Sequence, residues 1–172
     1  MANENLYENK KIIIKKILDG SIQTLRNDIH HIDCSQPLNL PHCPPIRMID
    51  ALDSADERFF ASHVVVPAES PYVLDGQLCP EMLLEVMAQC FAAGLACLHQ
   101  HGAKKEGSAP SWGYLAAIRD FKVEAKIHSG DILSARCEIA MKVNSLWVVN
   151  GHVERDNKEM ASAQFKIYVP EE

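Results

Sequence analysis

The chain has 172 residues, of which 47% are hydrophobic, and its formal net charge is -6. A chain of this length fits one globular domain with a buried core and leaves little room for a second. The acidic balance argues against nucleic acid or an anionic membrane as the main partner. The N-terminal residues lack the basic-then-apolar order of a secretory signal, and we therefore expect a cytoplasmic protein.

The spacing of cysteines and histidines argues against a disulfide framework and against a metal site. There is no CxxC pair among the six cysteines and no HExxH pattern among the eight histidines. In a reducing compartment the cysteines are interpreted as small core residues. They are Cys34, Cys43, Cys79, Cys90, Cys97 and Cys137.

The first forty residues are predicted to form a helical extension, residues 1–40, ahead of the main domain, residues 41–172. Apolar residues recur near helical spacing over residues 8–32 and are interrupted around Gly20. This pattern predicts two short amphipathic helices or one helix bent at Gly20. The entry to the main domain is marked by prolines that exclude regular helix, namely Pro37, Pro41, Pro44 and Pro45.

A β-hairpin is predicted at the start of the main domain. Two strand-like runs, residues 46–51 and 59–66, flank a polar turn at residues 53–56. A further turn at Asp75 and Gly76 leads into an apolar segment at Pro80, a residue suited to the first turn of a helix.

Residues 79–98 read as a helix that is apolar nearly all round yet carries one polar stripe. Glu81, Glu85 and Gln89 follow one another at intervals of four residues, so they share a face. Glu85 and Gln89 make the segment too polar to span a membrane. A carboxylate inside such a helix is unfavourable unless something pairs with it or uses it, which makes Glu85 the first catalytic candidate. The alternative is that Glu85 lies on a solvated side of a helix that is less buried. Glu81 is interpreted as compensating the helix dipole, and Gln89 either binds backbone or orients Glu85.

The rest of the chain reads as consecutive strands. Short turns between them favour an antiparallel meander with the helix lying across one face, which is an α+β architecture. The predicted strands are residues 112–118, 121–127, 132–143, 146–155 and 160–169.

The loop that enters the helix is the best place for chemistry. Unpaired N–H groups at a helix start can polarise a carbonyl such as a thioester oxygen, and a carboxylate one turn further in can act as general acid or base. His42 and His63 are interpreted as structural. The candidates for supporting or substrate-binding roles are Gly76, Cys79, Pro80, Gln89, Gly113 and Tyr114.

Three sequence blocks carry a resemblance to a known family. LPHCPPIRMID at residues 40–50 resembles the LPHRxPxLxxD entry of β-hydroxyacyl-ACP dehydratases, and LLEVMAQ at residues 83–89 resembles their central-helix motif LxEAMAQ. The tail is also similar, with GYLAAIRDFKV, SGDIL and GHVERDNKEMASAQF in the family's order. The chain looks most like the divergent dehydratase-like proteins of aryl-polyene and fatty-acid-type pathways.

The resemblance implies a hot-dog fold, in which an antiparallel sheet wraps around one long central helix. It implies a dimer in which an acyl chain carried on phosphopantetheine enters a tunnel between subunits, with no other cofactor. It also implies an acid–base pair, formed by a histidine from the loop before the helix and the helix carboxylate of the other subunit. Glu85 matches that carboxylate and Gln89 the last motif residue. The family's loop before the helix reads GHFPxxPxxPG. Residues 71–80 of this chain read PYVLDGQLCP and contain no histidine.

Three functions remain open. The first is a dehydratase acting on β-hydroxyacyl thioesters of acyl carrier protein or coenzyme A, with Arg119, Lys122 and Lys126 as a patch for the acidic carrier or simply a solvated strand face. The second is a thioesterase of the same fold, which requires no histidine. The third is a non-catalytic partner subunit of a complete dehydratase, in a heterocomplex rather than a homodimer.

Overall fold

The computed structural model of the protein describes residues 40–101 and 113–170, and the predicted N-terminal helices lie outside these residues. The described residues form one long helix, α1 (Met82–His101), and a set of strands. The strands are β1 (Ala51–Ala55), β2 (Phe59–Val65), β3 (Val73–Leu74), β4 (Gln77–Leu78), β5 (Tyr114–Val123), β6 (Ile132–Val143), β7 (Leu146–Arg155) and β8 (Lys158–Tyr168).

The main sheet has six strands in the order β1-β2-β6-β7-β8-β5, and each neighbouring pair is antiparallel. The short strands β3 and β4 form a separate hairpin before the helix. Helix α1 packs mainly on β1, β2, β6 and β7. The predicted α+β architecture, a sheet wrapped around a single central helix, is confirmed.

Two glycines allow α1 to lie directly on the sheet. A Cβ atom on Gly94 of the helix would overlap the ring of Phe60 on β2. A Cβ atom on Gly151 of β7 would lie 2.8 Å from the Sδ atom of Met87 and 2.7 Å from the ring of Phe165. Real side chains do not approach this closely, so each glycine creates the space that a large neighbour fills.

Buried thiols join the helix to β6. The Cys137 Sγ atom donates to the Met87 carbonyl oxygen at 3.2 Å, and Cys90 donates to the Ala135 carbonyl oxygen at 3.6 Å. Burial, together with the neighbouring Cys90 thiol, raises the pKa of the Cys137 thiol well above its ordinary value. These cysteines are core residues, as expected. Cys43 differs from the expectation, because it is exposed in a turn.

By length and composition alone, helix α1 passes the test for a membrane span between Met82 and Gln100, so the expectation that its polar residues exclude one is wrong. The central helix of a globular core passes the same test. Because more than half of this segment is buried inside the protein, packing against the sheet is sufficient to explain its apolar composition.

The first hairpin differs from its predicted position. Strand β1 begins at Ala51 and runs through the residues for which the sequence predicts a polar turn. Asp53 lies at a β-bulge in this strand, and its Oδ1 atom is 2.5 Å from Nδ1 of the buried His63. This contact gives His63 the structural role expected for it. The two strands predicted at residues 112–127 are one bulged strand, β5, in which Asp120 takes a positive φ of 51°.

Candidate active site

The loop that enters α1 is a tight hairpin followed by a turn. Gly76, with a φ of +75°, lies in the turn between β3 and β4. The Cys79 N–H donates to the Tyr72 carbonyl oxygen at 2.8 Å, and Pro80 is exposed. The helix therefore begins at Met82 rather than at Cys79.

The first N–H groups of the helix are already paired. Those of Met82, Leu83 and Leu84 donate to the carbonyl oxygens three residues earlier, at 3.0, 3.0 and 3.1 Å. Because a short helical turn uses these donors internally, they are not available to polarise a substrate carbonyl. The expectation that N–H groups at the helix start are unpaired is therefore wrong for these three.

Burial increases along the polar stripe of α1. Glu81 is exposed, Glu85 is half-buried, and Gln89 exposes only 1% of its surface. The Glu85 side chain exposes 31% of its surface, so it is less enclosed than expected for a helix that is apolar on its other faces. Glu85 thus lies where the stripe passes from solvent into the core.

Gln89 fills both of the roles that the sequence leaves open for it. Its Oε1 atom accepts from the backbone N–H groups of Met48 and Ile49 at 2.8 and 3.4 Å. Its Nε2 atom donates to the Ile46 carbonyl oxygen at 2.8 Å and to the Glu85 Oε1 atom at 2.5 Å. One buried amide therefore fixes the segment before β1 on the helix and orients the candidate carboxylate.

The same segment is fixed at its other end by Asp50. The Asp50 Oδ2 atom accepts from the Val65 N–H at 2.7 Å, and the Asp50 N–H donates to the His63 carbonyl oxygen at 2.9 Å. The block LPHCPPIRMID is therefore held by Gln89 in its centre and by the end of β2 at its last residue. These hydrogen bonds give the block a fixed position beside Glu85.

This fixed segment brings a histidine to Glu85. The Nε2 atom of His42 lies 3.8 Å from the Glu85 Oε1 atom, and the two side chains expose 32% and 31% of their surfaces. The other ring nitrogen, Nδ1, is buried and has no hydrogen-bond partner within residues 40–101 and 113–170. Sequence analysis interpreted His42 as structural and missed this contact, which only the tertiary structure creates. The available signal was its position in the LPHCPPIRMID block.

Gly113 and Tyr114 lie elsewhere in the sheet. They form the start of β5, where Gly113 lies against Ile167 and Tyr168 of β8. Strand β5 is at one edge of the sheet, whereas the segment bound by Gln89 continues into β1 at the other edge. Within one protomer, the strand order separates these two candidates from Glu85, and their proposed role remains a prediction.

The candidate carrier-protein patch is exposed. Arg119 and Lys122 lie on β5 and Lys126 follows it, with Asp120 and Glu124 exposed between them. The surface is therefore mixed in charge, and its role in carrier binding remains a prediction. Within the part of the chain that the structure describes, no group of three His, Cys, Asp or Glu side chains is placed to hold a metal ion.

Comparisons with known proteins agree on the architecture and identify a family. A family model described as ApeP-like, ApeP dehydratase, matches residues 37–172. No curated protein sequence matches the chain. The chain is similar in structure to a chain of the dehydratase heterocomplex ApeI:P from Xenorhabdus doucetiae, with a TM-score of 0.69, 17% identity, and coverage of 84% of this chain and 94% of that one.

Two further proteins have similar structures. An uncharacterized protein from Pyrococcus horikoshii aligns with a TM-score of 0.60 and 12% identity, covering 80% of this chain and 95% of that one. A hypothetical thioesterase with coenzyme A from Streptococcus pneumoniae aligns with a TM-score of 0.55 and 12% identity, covering 69% and 84%. At these identities the structural likeness concerns the fold, whereas the family model spans the whole described domain. The chain belongs to the ApeP-like family of dehydratases.

Proposed function

We propose that this protein dehydrates β-hydroxyacyl thioesters carried on the phosphopantetheine of acyl carrier protein, with Glu85 as an acid–base group. The observation that carries the proposal is the setting of Glu85. One carboxylate oxygen of Glu85 accepts a hydrogen bond from the Gln89 amide at 2.5 Å, and the Glu85 side chain is still 31% exposed. A fixed but accessible carboxylate is what proton transfer to or from a bound substrate requires.

The chemistry of dehydration makes two demands on the site. One group must remove the proton on the α-carbon, and another must protonate the hydroxyl that leaves from the β-carbon. The Oε2 atom of Glu85 has no hydrogen bond within residues 40–101 and 113–170, so it is available to one of these two transfers. Membership of a dehydratase family supports this assignment over hydrolysis.

Thioester hydrolysis is the second candidate. It is favoured by the likeness to the Streptococcus pneumoniae hypothetical thioesterase, whose structure was determined with coenzyme A. That likeness extends to the fold alone. In a thioesterase, Glu85 would align or activate a water molecule and the product would be a free thiol and a carboxylic acid.

The two reactions are distinguished by their products. The protein is incubated with a β-hydroxyacyl thioester of acyl carrier protein, and the intact acylated carrier is followed by mass spectrometry. We expect the acyl group to lose one water molecule and to remain attached. A saturated acyl thioester, which has no hydroxyl to lose, serves as the control. Release of free thiol from both substrates without water loss would contradict the proposal and support hydrolysis.

An uncovered apolar strip lies along the edge strand β5. Three of its residues pair with core residues of β8, so their side chains point to the same side of the sheet as the core. Because α1 packs mainly on other strands, these three side chains remain exposed by 45, 44 and 39%. They are Leu115, Ile118 and Val123.

We propose that a second hot-dog subunit, different from this chain, covers this strip. The similar chain from Xenorhabdus doucetiae was itself solved in a dehydratase heterocomplex. The assay described above is therefore run on the protein alone and with an added hot-dog dehydratase subunit. Turnover that appears only with the added subunit would assign this chain the role of a partner.

Replacing Ile118 by Asp should weaken the association of subunits. A charged side chain on an apolar interface strip would lose its hydration when the partner packs against it. In sedimentation equilibrium with the added hot-dog subunit, we expect a smaller particle for the variant than for the wild type. The control is Val143→Asp, which places the same charge at an exposed apolar position on β6. An unchanged molar mass for Ile118→Asp would contradict the proposed interface.

A further inference from the structure

We infer that His42 is the second acid–base group of this site and acts together with Glu85 of the same protomer. The inference rests on the proposed dehydratase function and adds a residue to it. The loop that enters α1 contains no histidine in residues 71–80, so the acid–base pair implied by the resemblance is incomplete there. The fixed segment before β1 supplies a histidine instead.

The geometry of the pair supports this role. The His42 Nε2 atom faces the Glu85 Oε1 atom at 3.8 Å, which is within ion-pair distance but too long for a hydrogen bond. Each side chain exposes about a third of its surface, at 32 and 31%, so a substrate can reach both. Two titratable side chains that are both partly exposed, close but not hydrogen-bonded to each other, can each be contacted by a reacting group.

The position of His42 is fixed by its surroundings. Immediately after it, the Arg47 N–H donates to the Cys43 carbonyl oxygen at 3.1 Å and closes a turn. The next residues are bound by the side chain of Gln89, which also binds Glu85. Because one amide holds both the segment that carries His42 and the carboxylate, it sets the separation of the two groups.

The proposed reaction begins with neutral His42 and protonated Glu85. The Nε2 lone pair of His42 takes the α-proton, and the electron pair of that C–H bond becomes the new carbon–carbon double bond. The bond from the β-carbon to the hydroxyl breaks as Glu85 gives its proton to the oxygen, and water leaves. The pair is then an imidazolium and a carboxylate 3.8 Å apart, which attract each other. Because both side chains are partly exposed, water takes the proton from His42 and returns one to Glu85, which restores the starting state.

Glu85 is the one ionisable group that contacts His42 within residues 40–101 and 113–170. The rate should therefore depend on two ionisations, with His42 required in its neutral form and Glu85 in its protonated form. Such a requirement produces a bell-shaped dependence of kcat/KM on pH. Removing the histidine should abolish the limb on which the rate rises with pH.

His42→Gln is the direct test. We expect kcat to fall at least about tenfold with little change in KM, because glutamine can form hydrogen bonds but cannot take a proton. The rising limb of the pH profile should disappear. The matched control is His152→Gln, an exposed histidine on β7 that is 2.7 Å from Glu159, and its kcat and pH profile should match those of the wild type.

A second variant keeps the test decisive if His42→Gln alters packing. His42→Ala opens a space at a partly exposed position, and added imidazole should restore part of kcat if a ring nitrogen takes the proton. A wild-type protein without dehydration activity, alone or with a partner subunit, would overturn the proposed function. Wild-type dehydration with unchanged kcat and pH profile in His42→Gln would overturn only this inference, as would His42→Ala that is folded, inactive and unresponsive to imidazole.

Discussion

Glu85→Gln should fold like the wild type and lose turnover by about 100-fold or more. Glutamine keeps an oxygen atom at the position that accepts the Gln89 amide, so the hydrogen bond of 2.5 Å between the two side chains can persist. An amide cannot give or take a proton near neutral pH. The variant therefore removes the proposed chemistry and leaves the local structure in place.

The measurement is the initial rate of dehydration of an acylated carrier protein, together with thermal unfolding of each variant. Glu81→Gln is the control, since it makes the same change on the same stripe of the chain at an exposed position. Its rate should equal that of the wild type. A Glu85→Gln variant with wild-type turnover would exclude Glu85 as an acid–base group and would leave the site without its central residue.

Gln89→Leu should produce the largest loss of stability, about 2–5 kcal/mol in the free energy of unfolding. The Gln89 side chain is 1% exposed and is the hydrogen-bond partner of backbone groups on Ile46 and the buried Met48. Leucine has a similar volume but no polar atoms. The backbone donor and acceptor would then be buried without partners, and each such group costs about 1–3 kcal/mol.

Chemical denaturation with urea gives the free energy directly. Gln164→Leu is a suitable control, because Gln164 is a half-buried glutamine on β8 whose side chain, within residues 40–101 and 113–170, donates only to the Asn150 side chain, at 3.1 Å. The decrease in the free energy of unfolding should be much smaller for Gln164→Leu than for Gln89→Leu, since water can replace the missing hydrogen bond. Equal losses for the two variants would show that the Gln89 bonds to the segment before β1 contribute little.

Local sequence signals were sufficient to predict the bounds of the central strands. Strands β6 (Ile132–Val143) and β7 (Leu146–Arg155) occupy the predicted residues. Their ends are set by turns in which Asn144, Asp156 and Asn157 take positive φ angles of 51, 53 and 61°. Asparagine and aspartate tolerate this conformation better than most residues, so the turns could be recognised from the chain alone.

The segment before β1 could not be predicted in the same way. Residues 46–49 are mostly apolar, as in a strand, but backbone groups of Ile46, Met48 and Ile49 bond to the side chain of Gln89, which is separated from Met48 by 41 residues. No local pattern records such a partner. The sequence pattern therefore places the strand too early, and the polar run at Ala51–Ala55 that does form β1 reads as a turn.

In the candidate site, too, some contacts follow from local sequence and others depend on tertiary packing. Helical spacing alone predicts that Glu85 and Gln89 lie together, because residues four apart on a helix are neighbours. The approach of His42 depends on the path of a proline-rich segment with no regular secondary structure. Its distance from Glu85 follows from tertiary packing, and periodicity carries no information about it.

The glycine contacts of the core restrict the route of a fatty tail. At Gly94 and Gly151 even one added carbon atom would overlap a neighbouring side chain, whereas a methylene chain needs about 4 Å from the atoms around it. A lipid tail therefore cannot thread between α1 and the strands at these two points. The tail of the proposed acyl substrate must then be accommodated away from these two points.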